Sequence, residues 1–159
     1  MFSISDVECR LPDLQDRLRR AQAVTHDLMS KVVAGACTRI MTPGNAIRAA
    51  KINRLIELEA WTEAALALVE LELPQWKLRR LVCEEGVWLC SLSKQWNLPD
   101  WLSDNAETRH ESLPIAILSA LIEAQRCGEP ASRRTATSVP QCRVDSSSPV
   151  ETMCCDNFA

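Results

Sequence analysis

At 159 residues, with 47% hydrophobic and 25% charged side chains, the chain has the composition of a single globular domain. A net charge of −3 gives no general attraction to nucleic acid or to an anionic membrane, so neither is an expected partner. No apolar run approaches the roughly 20 residues of a membrane span. The start, Met1 to Glu8, lacks the basic and apolar regions of an export signal, which predicts a cytoplasmic setting.

Leu11, Leu14, Leu18, Ala21, Thr25, Leu28 and Val32 follow one another at three- and four-residue steps. That spacing predicts one N-terminal helix with an apolar seam, begun with Pro12 in its first turn and ended near Gly35. The seam packs either on its own domain or on a second copy or partner helix. Thr42-Pro43 reads as a helix start. The stretch that follows carries Ile47, Ile52, Leu55, Ile56 and Leu58 as a first apolar face. A break at Trp61-Thr62, with Thr62 as cap, leads into a second helix closed by Pro74, the alternative being one unbroken helix. Glu57, Glu59, Glu63, Glu70 and Glu72 read as the solvated surface of this pair.

The stretch "LELPQWKLRRLVCEEGVWLCSLSKQ" reads as a β-hairpin with strands near 76–83 and 87–93. Glu84-Glu85-Gly86 is the expected three-residue loop, with the glycine left-handed. That register sets Val82 opposite Trp88, Arg80 opposite Cys90 and Leu78 opposite Leu92. It gathers Trp76, Leu78, Val82, Trp88 and Leu92 on one face. An isolated hairpin is marginal in water, so a helix must lie beneath it. "SLPIAILSALIEAQR" is apolar around most of its circumference and is the expected buried C-terminal helix. The intervening "WNLPDWLSDNAETRHE" reads as loop or short turns, with Trp96 and Trp101 exposed in part. From Gly128 the chain is rich in Ser, Thr and Pro without apolar periodicity, which predicts disorder.

The expected fold is α+β and mostly α. It comprises an N-terminal helical segment over 1–43, a core of helical pair, hairpin and helix over 44–127, and a disordered tail over 128–159.

Eight cysteines, at 9, 37, 83, 90, 127, 142, 154 and 155, include no C-x-x-C pair, and only His26 and His110 are available beside them. A structural zinc site needs about four converging ligands, so no metal is expected. In a reducing cytosol Cys37, Cys83 and Cys90 act as small hydrophobes. His110 with a hairpin cysteine is the one conceivable thiol–base pair. Phosphate-cradling glycine loops are lacking, and no cofactor is expected. Lys77, Arg79 and Arg80 beside Trp76 resemble in composition a basic strand of a nucleic-acid surface, but a partner-facing or solvated strand face fits the acidic chain better. With Trp96 and Trp101 they form the candidate partner surface.

Leu55, Leu58, Trp61, Ala64 or Ala65, Leu68 and Leu73-Pro74 resemble one tetratricopeptide-type helical pair, without a second copy to stack on. "AWTEAALALVELELPQWKLRRLV", "WLCSLSKQ", "LPIAILSALIEA" and the ending "CCDNFA" resemble a group of short uncharacterised proteins from rhizobial-type soil bacteria. That resemblance implies a bacterial, cytoplasmic protein and carries no functional residue. The expectation is a small non-enzymatic interaction or regulatory module, binding a protein partner or itself. The alternatives are a nucleic-acid-associated regulator using the basic hairpin face, or a thiol-based redox protein.

Overall fold

The computed structural model of the protein describes residues 10–95 and 105–128. The fold is α+β. Its elements are α1 (Arg10–Arg20), α2 (His26–Ala36), two short 3-10 turns (Arg39–Met41 and Pro43–Asn45), α3 (Ala46–Glu57), α4 (Trp61–Glu72), β1 (Lys77–Glu84), β2 (Val87–Ser93), β3 (Asn105–His110) and α5 (Leu113–Gly128). Trp96, Trp101 and the expected disordered tail beyond residue 128 lie outside the described residues.

The predicted single N-terminal helix is two helices. Thr25 ends the gap between them by capping α2, its hydroxyl accepting a hydrogen bond from the Leu28 amide at 3.2 Å. A threonine in mid-helix competes for backbone hydrogen bonds, and at a cap it satisfies them. The break folds α2 back beside α1, and Gly35 makes the approach close enough that a Cβ there would sit 2.7 Å from Leu14 Cδ1. The seam residues Leu11, Leu14, Leu18, Leu28 and Val32 are all buried in the chain's own core.

The helical pair forms, with its break displaced. Glu59 takes a left-handed turn at φ 56°, Ala60 precedes the second helix, and Trp61 begins it. Thr62 therefore lies inside the first turn and caps nothing. His26 of α2 packs edge-on against Trp61, ring centroids 4.9 Å apart, which ties the turn to the N-terminal helices.

The expected apolar face of α3 is only partly used. Ile52 is buried, with Leu55 and Ile56 packed on the core, while Ile47 is 89% and Leu58 67% exposed. At about 100° per residue, Ile47 and Leu58 share one side of the helix, more than about 100° from the mean direction of the other three.

Glu72, expected on the solvated surface, is buried instead. Its carboxylate accepts hydrogen bonds from the amides of Arg39 at 3.1 Å and Ile40 at 2.9 Å. It thus serves the open amide end of the first 3-10 turn from a distant helix, a contact that no local pattern encodes.

The sheet has three antiparallel strands in the order β1-β2-β3. The third strand is a correction, since its sequence NAETRH reads as loop. It lacks aliphatic β-branched residues, and its strand character comes from pairing along β2 and from context. Ala106 is buried opposite Leu92, and the Thr108 hydroxyl donates to the Ala116 carbonyl of α5 at 2.8 Å. α5 lies under β2 and β3 and also packs on α1 and α4. Ile115, Ala116, Ile117, Leu118, Ala120, Leu121, Ile122 and Ala124 are all fully buried. One continuous core runs from Leu11 through Ile40 and Ile52 to Ala124.

Candidate interaction surface

The hairpin closes through a two-residue turn. Glu85 and Gly86 are both left-handed, at φ 52° and 82°, and Glu84 pairs with Val87. Two positive φ values are the mark of the tight turn whose twist suits a hairpin. The loop is thus one residue shorter than expected, and the register near it moves by one. Val82 pairs with Leu89, Cys83 with Trp88 and Leu81 with Cys90. Directly paired residues share a face. Leu81 and Cys83 therefore lie on the helix-covered side with Trp88 and Cys90, and Val82 leaves the tryptophan face on which it was placed.

A β-bulge between Leu78 and Arg80 absorbs the difference, so the expected Leu78–Leu92 pair is present. The bulge re-aims side chains. Arg79 and Arg80, neighbours whose side chains would alternate between faces in a regular strand, both line a recess on the outer side of the sheet, together with Ser91, Asn105 and Glu107. Lys77 stands exposed at the strand's start, opposite Ser93. The three predicted cations therefore share one end of β1, while Trp96 and Trp101 lie outside the described residues. Trp76 is buried and takes Lys94 over its ring, with Nζ 5.1 Å from the centroid.

β1 is an edge strand. All its residues are exposed except Leu81, which is half-buried. Val82 at 37% and Leu78 at 42% are among the large apolar side chains left outside the core. α5 packs chiefly on β2 and β3, and β1 reaches the core through Leu81.

The hairpin also fixes which backbone groups of β1 are free. In a hairpin with a two-residue loop the closing pair is hydrogen-bonded, and bonded pairs alternate with non-bonded ones. Glu84, Val82 and Arg80 thus spend their amides and carbonyls on β2. Those of Leu81 and Cys83 point away from the sheet.

The thiol chemistry is muted. Burial pushes the Cys90 thiol up to about 12. It raises Cys37 further, with the nearby Glu72 carboxylate adding to the effect. Both stay protonated at neutral pH and are poor nucleophiles. Cys83 and His110 sit on either side of Trp88, each paired with it across β2. Two strand spacings, about 10 Å, separate them, so they form no thiol–base pair. His110 instead accepts the Ser112 amide on Nδ1 at 2.9 Å, shaping the entry to α5. Among the described residues no three His, Cys, Asp or Glu side chains converge as metal ligands. No described helix is long and apolar enough to cross a membrane.

The β1 edge was only half legible in advance. The alternation of apolar residues announced a hairpin, but a pattern of period two does not say which side of it lies on an edge. No protein-family model, curated protein or solved structure matches the chain.

Proposed function

We propose that the chain is a small, non-enzymatic, cytosolic protein-interaction module whose contact surface is the open edge of its sheet at β1. The observation that carries this reading is the combination of unspent backbone groups at Leu81 and Cys83 with the exposed apolar side chain of Val82 between them. Strand addition to a sheet edge uses these two elements: main-chain bonds for affinity and alternate side chains for specificity. The protonated thiols of Cys37 and Cys90 support a structural role for those cysteines over a redox one.

A nucleic-acid role for Lys77, Arg79 and Arg80 is less well supported, because Glu107 lines the same recess as the two arginines and opposes phosphate there.

The test is a photo-crosslinking side chain placed at position 82 and, as a control, at the exposed Glu63 of α4, in living cells of the source organism. The reading predicts a discrete protein adduct from position 82 that Cys83→Pro abolishes. Proline at 83 removes an outward amide and leaves the bonds to β2 intact. Equal or absent labelling at the two positions would contradict it.

A further inference from the structure

We infer that the occupant of the β1 edge is a second copy of this chain, paired antiparallel about a two-fold axis at Val82. The inference rests on the interaction reading above and narrows it to one partner.

Three observations select this pairing. The first is backbone registration. Only Leu81 and Cys83 point their polar groups outward in the regular part of β1. With the axis on Val82, Leu81 faces Cys83 of the other copy and Cys83 faces Leu81. Both pairs are hydrogen-bonded, giving four main-chain bonds, and the two Val82 side chains meet in the close, non-bonded position between them. An axis on Leu81 or Cys83 would pair that residue with its own copy and keep one bonded pair in the regular strand, two main-chain bonds instead of four, because the next outward residue then meets the bulge at Arg79 or the turn at Glu85.

The second is charge. Arg80, Val82 and Glu84 share the outer face. With the axis on Val82, Arg80 of each copy stands opposite Glu84 of the other, which makes two opposite-charge cross-strand pairs. Moving the axis two residues either way stacks Arg80 on Arg80 or Glu84 on Glu84, and the former also runs the ladder into the bulge at Arg79. Charge and backbone therefore favour the same register, and both penalise its neighbours.

The third is clearance. Among the described residues Arg80, Val82, Cys83 and Glu84 are exposed, and α5 packs chiefly on β2 and β3. The added strand would extend the sheet from three strands to six across the dimer. The bulge and the cations at Lys77 and Arg79 limit the ladder to five residues.

The experiment uses the full chain with Cys9, Cys83, Cys127, Cys142, Cys154 and Cys155 replaced by Ser, and compares Val82→Cys with Glu84→Cys under mild oxidation. The register predicts a disulfide-linked dimer from position 82 and none from position 84, whose two copies lie four residues apart along the ladder. In the otherwise native chain, dimer dissociation constants are measured by sedimentation. Arg80→Glu and Glu84→Arg should each weaken the dimer about tenfold, since each replaces two attractive pairs with repulsive ones. The double swap Arg80→Glu/Glu84→Arg should restore it, an outcome that a mere folding defect would not give.

A chain that stays monomeric at high micromolar concentration, or that cross-links equally from 82 and 84, overturns the self-pairing. If the photo-crosslinker at position 82 then captures a different protein and Cys83→Pro abolishes the adduct, the interaction reading stands and only this partner is wrong. If position 82 captures nothing in cells either, both fall.

Discussion

The Glu72 carboxylate at the end of α4 accepts a 2.9 Å hydrogen bond from the Ile40 amide, 32 residues earlier in the chain. It holds the connection between the N-terminal helices and the helical pair, and it does so from a buried position. Burial pushes its carboxyl above the usual glutamate range, against the pull of the Arg39, Ile40 and Thr38 amides and the Arg39 charge. Glu72→Ala leaves buried amides without an acceptor and should lower stability by about 1–3 kcal/mol at neutral pH. Glu72→Gln keeps an acceptor and should cost under about 1 kcal/mol. Urea unfolding of both variants measures this.

The same group gives a signed pH effect. A carboxyl whose folded value lies above its unfolded value binds protons more tightly when folded. Its contribution is complete below the unfolded value, about 4.3, and is lost as pH rises through the folded one. The stability of the wild type relative to Glu72→Gln should therefore rise as pH is lowered from 7 towards 4.5. Comparing the two proteins at each pH cancels the other carboxylates. An unchanged difference would contradict the raised value.

On α3, apolar residues of similar size have unequal roles. Ile52→Ala removes a fully buried side chain and should cost about 2–4 kcal/mol. Ile47→Ala and Leu58→Ala remove side chains 89% and 67% exposed and should each lie within about 0.5 kcal/mol of wild type. Thermal unfolding of the three variants distinguishes them.

The hairpin turn holds a glutamate in a left-handed conformation at Glu85, φ 52°. Such a residue carries roughly 1 kcal/mol of backbone strain, which asparagine tolerates better. Glu85→Asn should stabilise the protein by a few tenths to about 1 kcal/mol. Gly86→Ala, at φ 82° with open space around it, should destabilise it by about 1 kcal/mol through the backbone alone.

Thiol labelling separates the buried Cys37 and Cys90 from the exposed Cys83. In the native protein at pH 7.5, Cys83 should react with a maleimide while Cys37 and Cys90 stay unmodified until denaturant is added, because both are buried and held protonated. Peptide mapping of the labelled chain reads the outcome directly. Rapid native labelling of Cys90 would contradict its place beneath the sheet.

Features carried by local periodicity were legible in the sequence. The all-round apolar character of Leu113–Ile122 announced a buried helix, and the alternation from Trp76 to Ser93 announced a hairpin. Features that depend on a distant partner were not. NAETRH has Thr108 as its one strand-favouring residue and becomes β3 only beside β2. Glu72 looks like any helix glutamate until the Arg39–Met41 turn is brought to it. The hairpin register slipped by one because a left-handed glutamate is uncommon enough that Glu84-Glu85-Gly86 reads as a longer loop. The cations of the candidate site were placed on the right strand, but the bulge that unites Arg79 and Arg80, and the edge position that exposes Val82, are properties of the assembled sheet.

Residue-resolved hydrogen exchange of the β1 amides over a range of protein concentrations tests the central claim most directly. If the open edge is the contact surface and a second copy fills it, the Leu81 and Cys83 amides should exchange freely in dilute protein and become protected as concentration rises. The Val82 and Glu84 amides, bonded to β2, should be protected throughout. Leu81 and Cys83 amides that exchange at one rate at every concentration, in the purified protein and in its native extract, would contradict the account.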